Sequence, residues 1–128
     1  MIISAQSSGS HSTNSGSWTP IPGLAIELPR GVNDNVLLIL NVPNPYATGN
    51  NFPGGTFGIE VNGSMLAPVA VFTYNESAPQ SSGRIPTTLT ALAPLSQSGE
   101  QKVVAVWQGV RGSTVIIDSP ATLSAIVA

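Results

Sequence analysis

Two arginines in loops rich in Ser and Gly are the side chains of this sequence best suited to chemistry. Arg84 follows Ser81-Ser82-Gly83, and Arg111 stands before Gly112-Ser113. A guanidinium presents several planar donors and suits neighbouring hydroxyls as well as carboxylates. Tyr46 follows a Pro-Asn-Pro turn, Thr73 and Tyr74 end an apolar run, and Asp118 closes another. Tyrosine adds an apolar ring face and a hydroxyl. Together these groups match a neutral polyol with one apolar patch, which describes a sugar. The competing reading is structural, with Arg84 and Arg111 as ordinary loop residues paired with Glu76 and Asp118. On composition and spacing alone, the structural reading is the better supported.

Other chemistries find less. Acid–base catalysis needs titratable groups close together, and the carboxylates Glu27, Asp34, Glu60, Glu76, Glu100 and Asp118 are scattered. The single histidine, His11, sits in a Ser-rich stretch where it reads as solvated. No G-x-S-x-G elbow is present, and GNNFPGGTFG departs from G-x-G-x-x-G. One His, no Cys and no D-x-D-x-D-G run supply no metal set. The sequence reads as a non-enzyme without cofactor or metal.

These groups must be held by short strands. Thirteen Gly and eleven Pro punctuate the chain, and β-branched and aliphatic segments lie between them. The pattern predicts strands over 24–28, 35–42, 56–61, 65–74, 87–92, 102–108, 113–118 and 122–128, with another over 2–6. Regular short strands with turn signals between them predict a β-sandwich or barrel. Asn62-Gly63 predicts a two-residue hairpin turn, because both positions tolerate positive φ. Residues 7–17 read as a polar loop or flexible arm. VLLIL over 36–40 is apolar on both sides of the pleat and predicts a strand buried on both faces. The terminal ATLSAIVA reads as an interior strand that could also line an oligomer axis.

Composition narrows the partners. Only 8% of the 128 residues are charged, against roughly a quarter in an ordinary soluble domain. Four Lys and Arg and a net charge of −2 leave no basic patch for a phosphate backbone, so nucleic acid is excluded. No apolar run reaches about 18 residues, so no membrane-spanning helix is expected. The N-terminus has no basic region followed by a long apolar one, so no secretory signal peptide is expected. That leaves a cytoplasmic protein, or one released by a non-classical route. At this length one domain over 1–128 is expected, with one core.

Three stretches carry a family resemblance: LLILNVPNPYATGNNFPGGTFGI (37–59), VFTYNESAPQSSGRIPTTL (71–89) and WQGVRGSTVIIDSPATLSAIVA (107–128). They resemble the TNF-like fucose-binding lectin domain found at the N-terminus of a bacterial two-domain superlectin. A weaker match, IPGLAIELPRGVND (21–34), extends the similarity to nearly the whole chain beyond the polar stretch. The resemblance implies an all-β jelly-roll sandwich, a homotrimer, and sugar sites between protomers. It implies fucosylated, histo-blood-group-like oligosaccharides as partners. The site it implies consists of Tyr46, Thr73, Tyr74, Ser81, Ser82, Arg84 and Arg111. Asp118 would orient an arginine rather than touch sugar. Two departures stand out. Thr56 replaces a family tyrosine, keeping a hydroxyl but losing the ring, and Ser81-Ser82 replaces a Ser-Thr pair. The resemblance covers the first domain only, and no counterpart of the calcium-dependent second domain is expected here. The alternative is a structural or protein-binding module of the same fold without sugar binding.

Overall fold

The computed structural model describes residues 1–29, 35–94 and 101–127. Their alternating apolar and polar residues build twelve strands and, among the described residues, no helix. One sheet has the order β1 (Ile2–Gln6), β12 (Thr122–Val127), β4 (Asn35–Val42) and β9 (Thr87–Pro94). A second has the order β3 (Thr19–Leu28), β10 (Gln101–Val110), β6 (Gly54–Val61) and β7 (Ser64–Met65), with β8 (Ala70–Thr73) also on β6. A small third sheet joins β2 (His11–Thr13), β11 (Thr114–Ile117) and β5 (Tyr46–Thr48). Every pairing is antiparallel. The arrangement is all-β and consistent with a β-sandwich.

The period of two decides which residues enter the core. Val36, Leu38, Leu40 and Val42 of β4 are buried, as are Leu123, Ala125 and Val127 of β12. They share one apolar cluster with Leu24, Ile26 and Leu28 of β3, Phe57 and Ile59 of β6, and Val103, Ala105 and Trp107 of β10. The outward residues of β4, Leu37 and Ile39, are half-buried. Two-sided burial of that strand is therefore complete on one face only within the single chain. The terminal segment is an interior strand, with β12 lying between β1 and β4.

The Asn62-Gly63 turn forms as the sequence predicts. Both residues have positive φ, 52° and 82°, and they join β6 to β7. Other expectations shift. The segment 65–74 is two short strands, β7 and β8, with Pro68 between them, because proline cannot donate to a ladder. β3 starts five residues before the expected 24, and a bulge opposite Val104 and Val106 takes up the extra residues at Gly23, whose φ is 83°. Residues 11–13, expected in a loop or arm, form β2 on β11. Ser7 is buried, where its hydroxyl accepts the amide proton of Ala121 at 2.9 Å, and Gly109 N donates to Ser15 O at 2.8 Å. His11 is half-buried in β2, with Nε2 2.7 Å from Ser8 O.

Candidate functional site

Arg84 is seated before it meets any ligand. Its loop enters β9 after Ile85 N donates to Pro45 O at 3.0 Å, so residues 84–85 lie against the Pro-Asn-Pro turn. Nη1 donates to Asn44 O at 3.0 Å and to Asp118 Oδ1 at 2.5 Å, and Nη2 donates to Asp118 Oδ2 at 2.9 Å. The two parallel bonds form the planar fork that guanidinium and carboxylate favour. The guanidinium carbon lies 4.5 Å from the centre of the Tyr46 ring, a cation–π stacking distance. The bond to Asp118 raises the Arg84 pKa above its ordinary value, and the same bond holds the Asp118 carboxyl below its ordinary value. The pair is solvent-facing, with side-chain exposures of 45% and 31%. An arginine has five N–H donors. Arg84 keeps Nε and one Nη2 proton without a partner among the described residues.

Tyr74 connects this group to a second. Its hydroxyl donates to Gly83 O at 2.6 Å and accepts the amide proton of Ala47 at 3.2 Å, which ties the Ser81-Ser82-Gly83 loop to β5. Its own amide donates to Pro53 O at 2.9 Å. A series of ring contacts fixes it from below. Trp107 stacks on Phe57 at 6.5 Å, Phe57 on Phe72 at 6.1 Å, and Phe72 meets Tyr74 edge-on at 6.0 Å. The core aromatics thus set the position of a surface phenol.

Arg111 anchors the second group. Arg111 and Gly112 both have positive φ, 51° and 76°, and Ser113 N donates back to Val110 O at 3.0 Å. This tight turn joins β10 to β11. The Arg111 side chain reaches the 49–53 loop, where Nε donates to Asn51 O at 2.9 Å and Nη2 donates to Phe52 O. The remaining Nη2 proton and both Nη1 protons have no partner among the described residues.

The structure brings Tyr46, Tyr74, Arg84 and Asp118 into one connected group, with Ser81 and Ser82 in the loop that Tyr74 holds. Thr73 is exposed at the end of β8, opposite Gly54 and next to Tyr74. Arg111 stands at the 49–53 loop, which Pro53 O links to Tyr74. Thr56 stands apart. It is 7% exposed in β6, between Val71 and Gln108.

Several supporting groups carry no sequence signal of their own. Asn44, Asn51 and Phe52 act through main-chain carbonyls. Ser113 is buried, its Oγ donates to Val110 O and accepts from Gly54 N, and so it fixes the Arg111 turn. The one legible hint was the Arg111-Gly112 pair, since glycine favours a tight turn at that point.

The arrangement offers five guanidinium protons without a partner among the described residues, two phenols and several hydroxyls around a pair of loops. The family described as Bc2l-C, N-terminal domain, has a model that matches residues 7–126 of the chain. Curated proteins give no match. Among solved structures, the insecticidal delta-endotoxin Cry8Ea1 from Bacillus thuringiensis is similar at 15% identity, with a TM-score of 0.45, over 93% of this chain and 19% of that one. The chain therefore spans under a fifth of the toxin's length.

Proposed function

Because the chain belongs to the Bc2l-C N-terminal domain family, a family of lectin-type carbohydrate-binding domains and not of enzymes, we propose that it is a lectin recognising fucose and fucosylated oligosaccharides. Its fold on this reading is a TNF-like jelly roll, assembled as a homotrimer with sugar sites between protomers. Arg84 and Arg111 donate to ring hydroxyls. Ser81, Ser82 and Thr73 add hydroxyl partners. Tyr46 and Tyr74 offer ring surface to the apolar side of the sugar. Asp118 keeps Arg84 in place, and Thr56 stays peripheral.

The observation that carries this reading is the anchoring of both arginines. Each is held by part of its fork, while its remaining donors have no partner among the described residues. A site prepared this way loses little side-chain freedom when a ligand binds. A weak site for one small polar sugar gains from repetition, because three sites on one rigid body raise avidity by orders of magnitude.

The outer face of the β1-β12-β4-β9 sheet supports assembly. Ile2, Ile126, Leu37 and Leu92 stand side by side across its four strands. The next row is Ser4, Ser124, Ile39 and Thr90, and the third is Gln6, Thr122, Asn41 and Thr88. None of the twelve is charged, and exposures reach 70% at Ile2 and 65% at Leu92. Interface cores are depleted in charge in just this manner. A glycan array with competition by free fucose tests the reading. Fucosylated spots should light up and fade with competitor, and a signal no higher than background on them would refute it.

A further inference from the structure

Resting on the proposed sugar site, we infer that Phe52 is a specificity-determining residue, an apolar platform for the part of a glycan attached beyond fucose. Phe52 is 43% exposed, and its φ is 48°, in the left-handed region that bulky L residues rarely enter. Such a conformation persists only when its surroundings enforce it, and these residues concentrate at binding sites. Here two contacts enforce it. Phe52 N donates to Ser77 O at 3.1 Å, and Phe52 O accepts from Arg111 Nη2. The other two phenylalanines, Phe57 and Phe72, turn inward and stack in the core. Phe52 alone of the three is displayed, on the loop whose carbonyls hold Arg111.

Among the described residues, the other exposed large apolar side chains are aliphatic or methionine, so none of these offers a flat face for the C–H side of a sugar ring. Thr56 does not supply one either, being buried in β6 with no ring. Phe52, on the loop that holds Arg111, is the most exposed aromatic ring beside the proposed site and so the surface offered to a second sugar residue. Phe52 sits at the Arg111 end of the site, where its main-chain carbonyl and not its ring holds the guanidinium, while the Arg84 end is built from Asn44, Tyr46 and Asp118.

The test compares methyl α-fucoside with a fucosylated trisaccharide by calorimetric titration of the wild-type chain, Phe52→Ala and Phe52→Tyr. Phe52→Ala, which keeps the carbonyl that Arg111 holds, should weaken the trisaccharide about five- to tenfold more than the monosaccharide, and Phe52→Tyr should restore trisaccharide binding. Equal trisaccharide affinity in Phe52→Ala and wild type would overturn the inference. So would an equal loss for both ligands, or a change in sedimenting mass in Phe52→Ala, since either marks a structural role. If the wild type binds neither ligand, the proposed function itself fails, which is a separate outcome.

Discussion

Asp118 grips Arg84 through both carboxylate oxygens while Tyr46 lies under the same guanidinium. One face of the fork is thereby closed and its direction set, before any sugar arrives. Asp118→Asn keeps the shape but removes the charge and one acceptor. Fucose affinity in that variant should fall about tenfold, read by calorimetry, with the folded circular dichroism spectrum retained. Unchanged affinity would mean that Arg84 needs no orienting partner.

The same pair sets a pH window. The bond from Arg84 lowers the Asp118 pKa below its ordinary 3.8. A depressed carboxylate pKa keeps the charged pair intact above the ordinary value, and the pair is lost only as pH falls through the lowered one. Fucose binding should therefore stay flat from about pH 8 to about pH 5 and decline only below the ordinary aspartate range. A midpoint between pH 5 and 7, measured by titration at fixed ionic strength, would assign control to a different group.

Arg111 clamps the carbonyls of Asn51 and Phe52, and on the proposed function it is also a sugar donor. Arg111→Ala should reduce fucose binding below detection and leave the oligomer intact by sedimentation. Arg111→Lys should recover little, because an ammonium lacks the fork that spans two carbonyls and still faces outward. Wild-type affinity in either variant would remove Arg111 from the site.

Gly54 carries a steric requirement. A Cβ there would lie 2.1 Å from Phe72 O and 2.8 Å from Thr73 Cγ2, so alanine cannot fit without displacing β8. Gly54→Ala should cost about 3 kcal/mol in denaturant unfolding and weaken fucose binding by shifting Thr73 and Tyr74. Gly83 is the contrast, with nothing within 4 Å of the added carbon. Gly83→Ala should leave stability within about 0.5 kcal/mol. Equal stability of the two variants would contradict the close approach of β6 and β8.

Leu92 is 65% exposed on the uncharged sheet face, so a charge there is harmless to a lone chain. Leu92→Glu should fold normally yet sediment as a monomer, and its apparent affinity for a fucose-coated surface should drop at least tenfold through lost avidity. A variant that still sediments as the wild type would show that this face is not where protomers meet.

Much of the fold was written locally. The bounds of β1 and β4 and the Asn62-Gly63 turn follow from alternating apolar residues and turn chemistry. β2 was not legible, because its residues His11, Ser12 and Thr13 are polar and become a strand only by pairing with Ile117, Ile116 and Val115. β5 is three residues long and likewise owes its form to β11. The candidate site residues could be named from the sequence. Asp118, expected to orient an arginine, does hold Arg84; the main-chain partners could not be named, because Asn44, Asn51 and Phe52 hold the arginines through carbonyls, and a carbonyl looks the same in every residue. The burial of Thr56 depends on neighbours 15 and 52 positions away, Val71 and Gln108, which no local pattern reports.

The most direct measurement is calorimetric titration of the purified chain with methyl α-fucoside, in parallel with sedimentation. Saturable binding is expected, with one sugar per protomer on a particle of three protomers, and none for Arg84→Ala in a particle of the same mass. A well-folded trimer that takes up no fucoside would show that the chain is not a fucose lectin, and an Arg84→Ala variant that binds it as the wild type does would show that Arg84 is not part of the site.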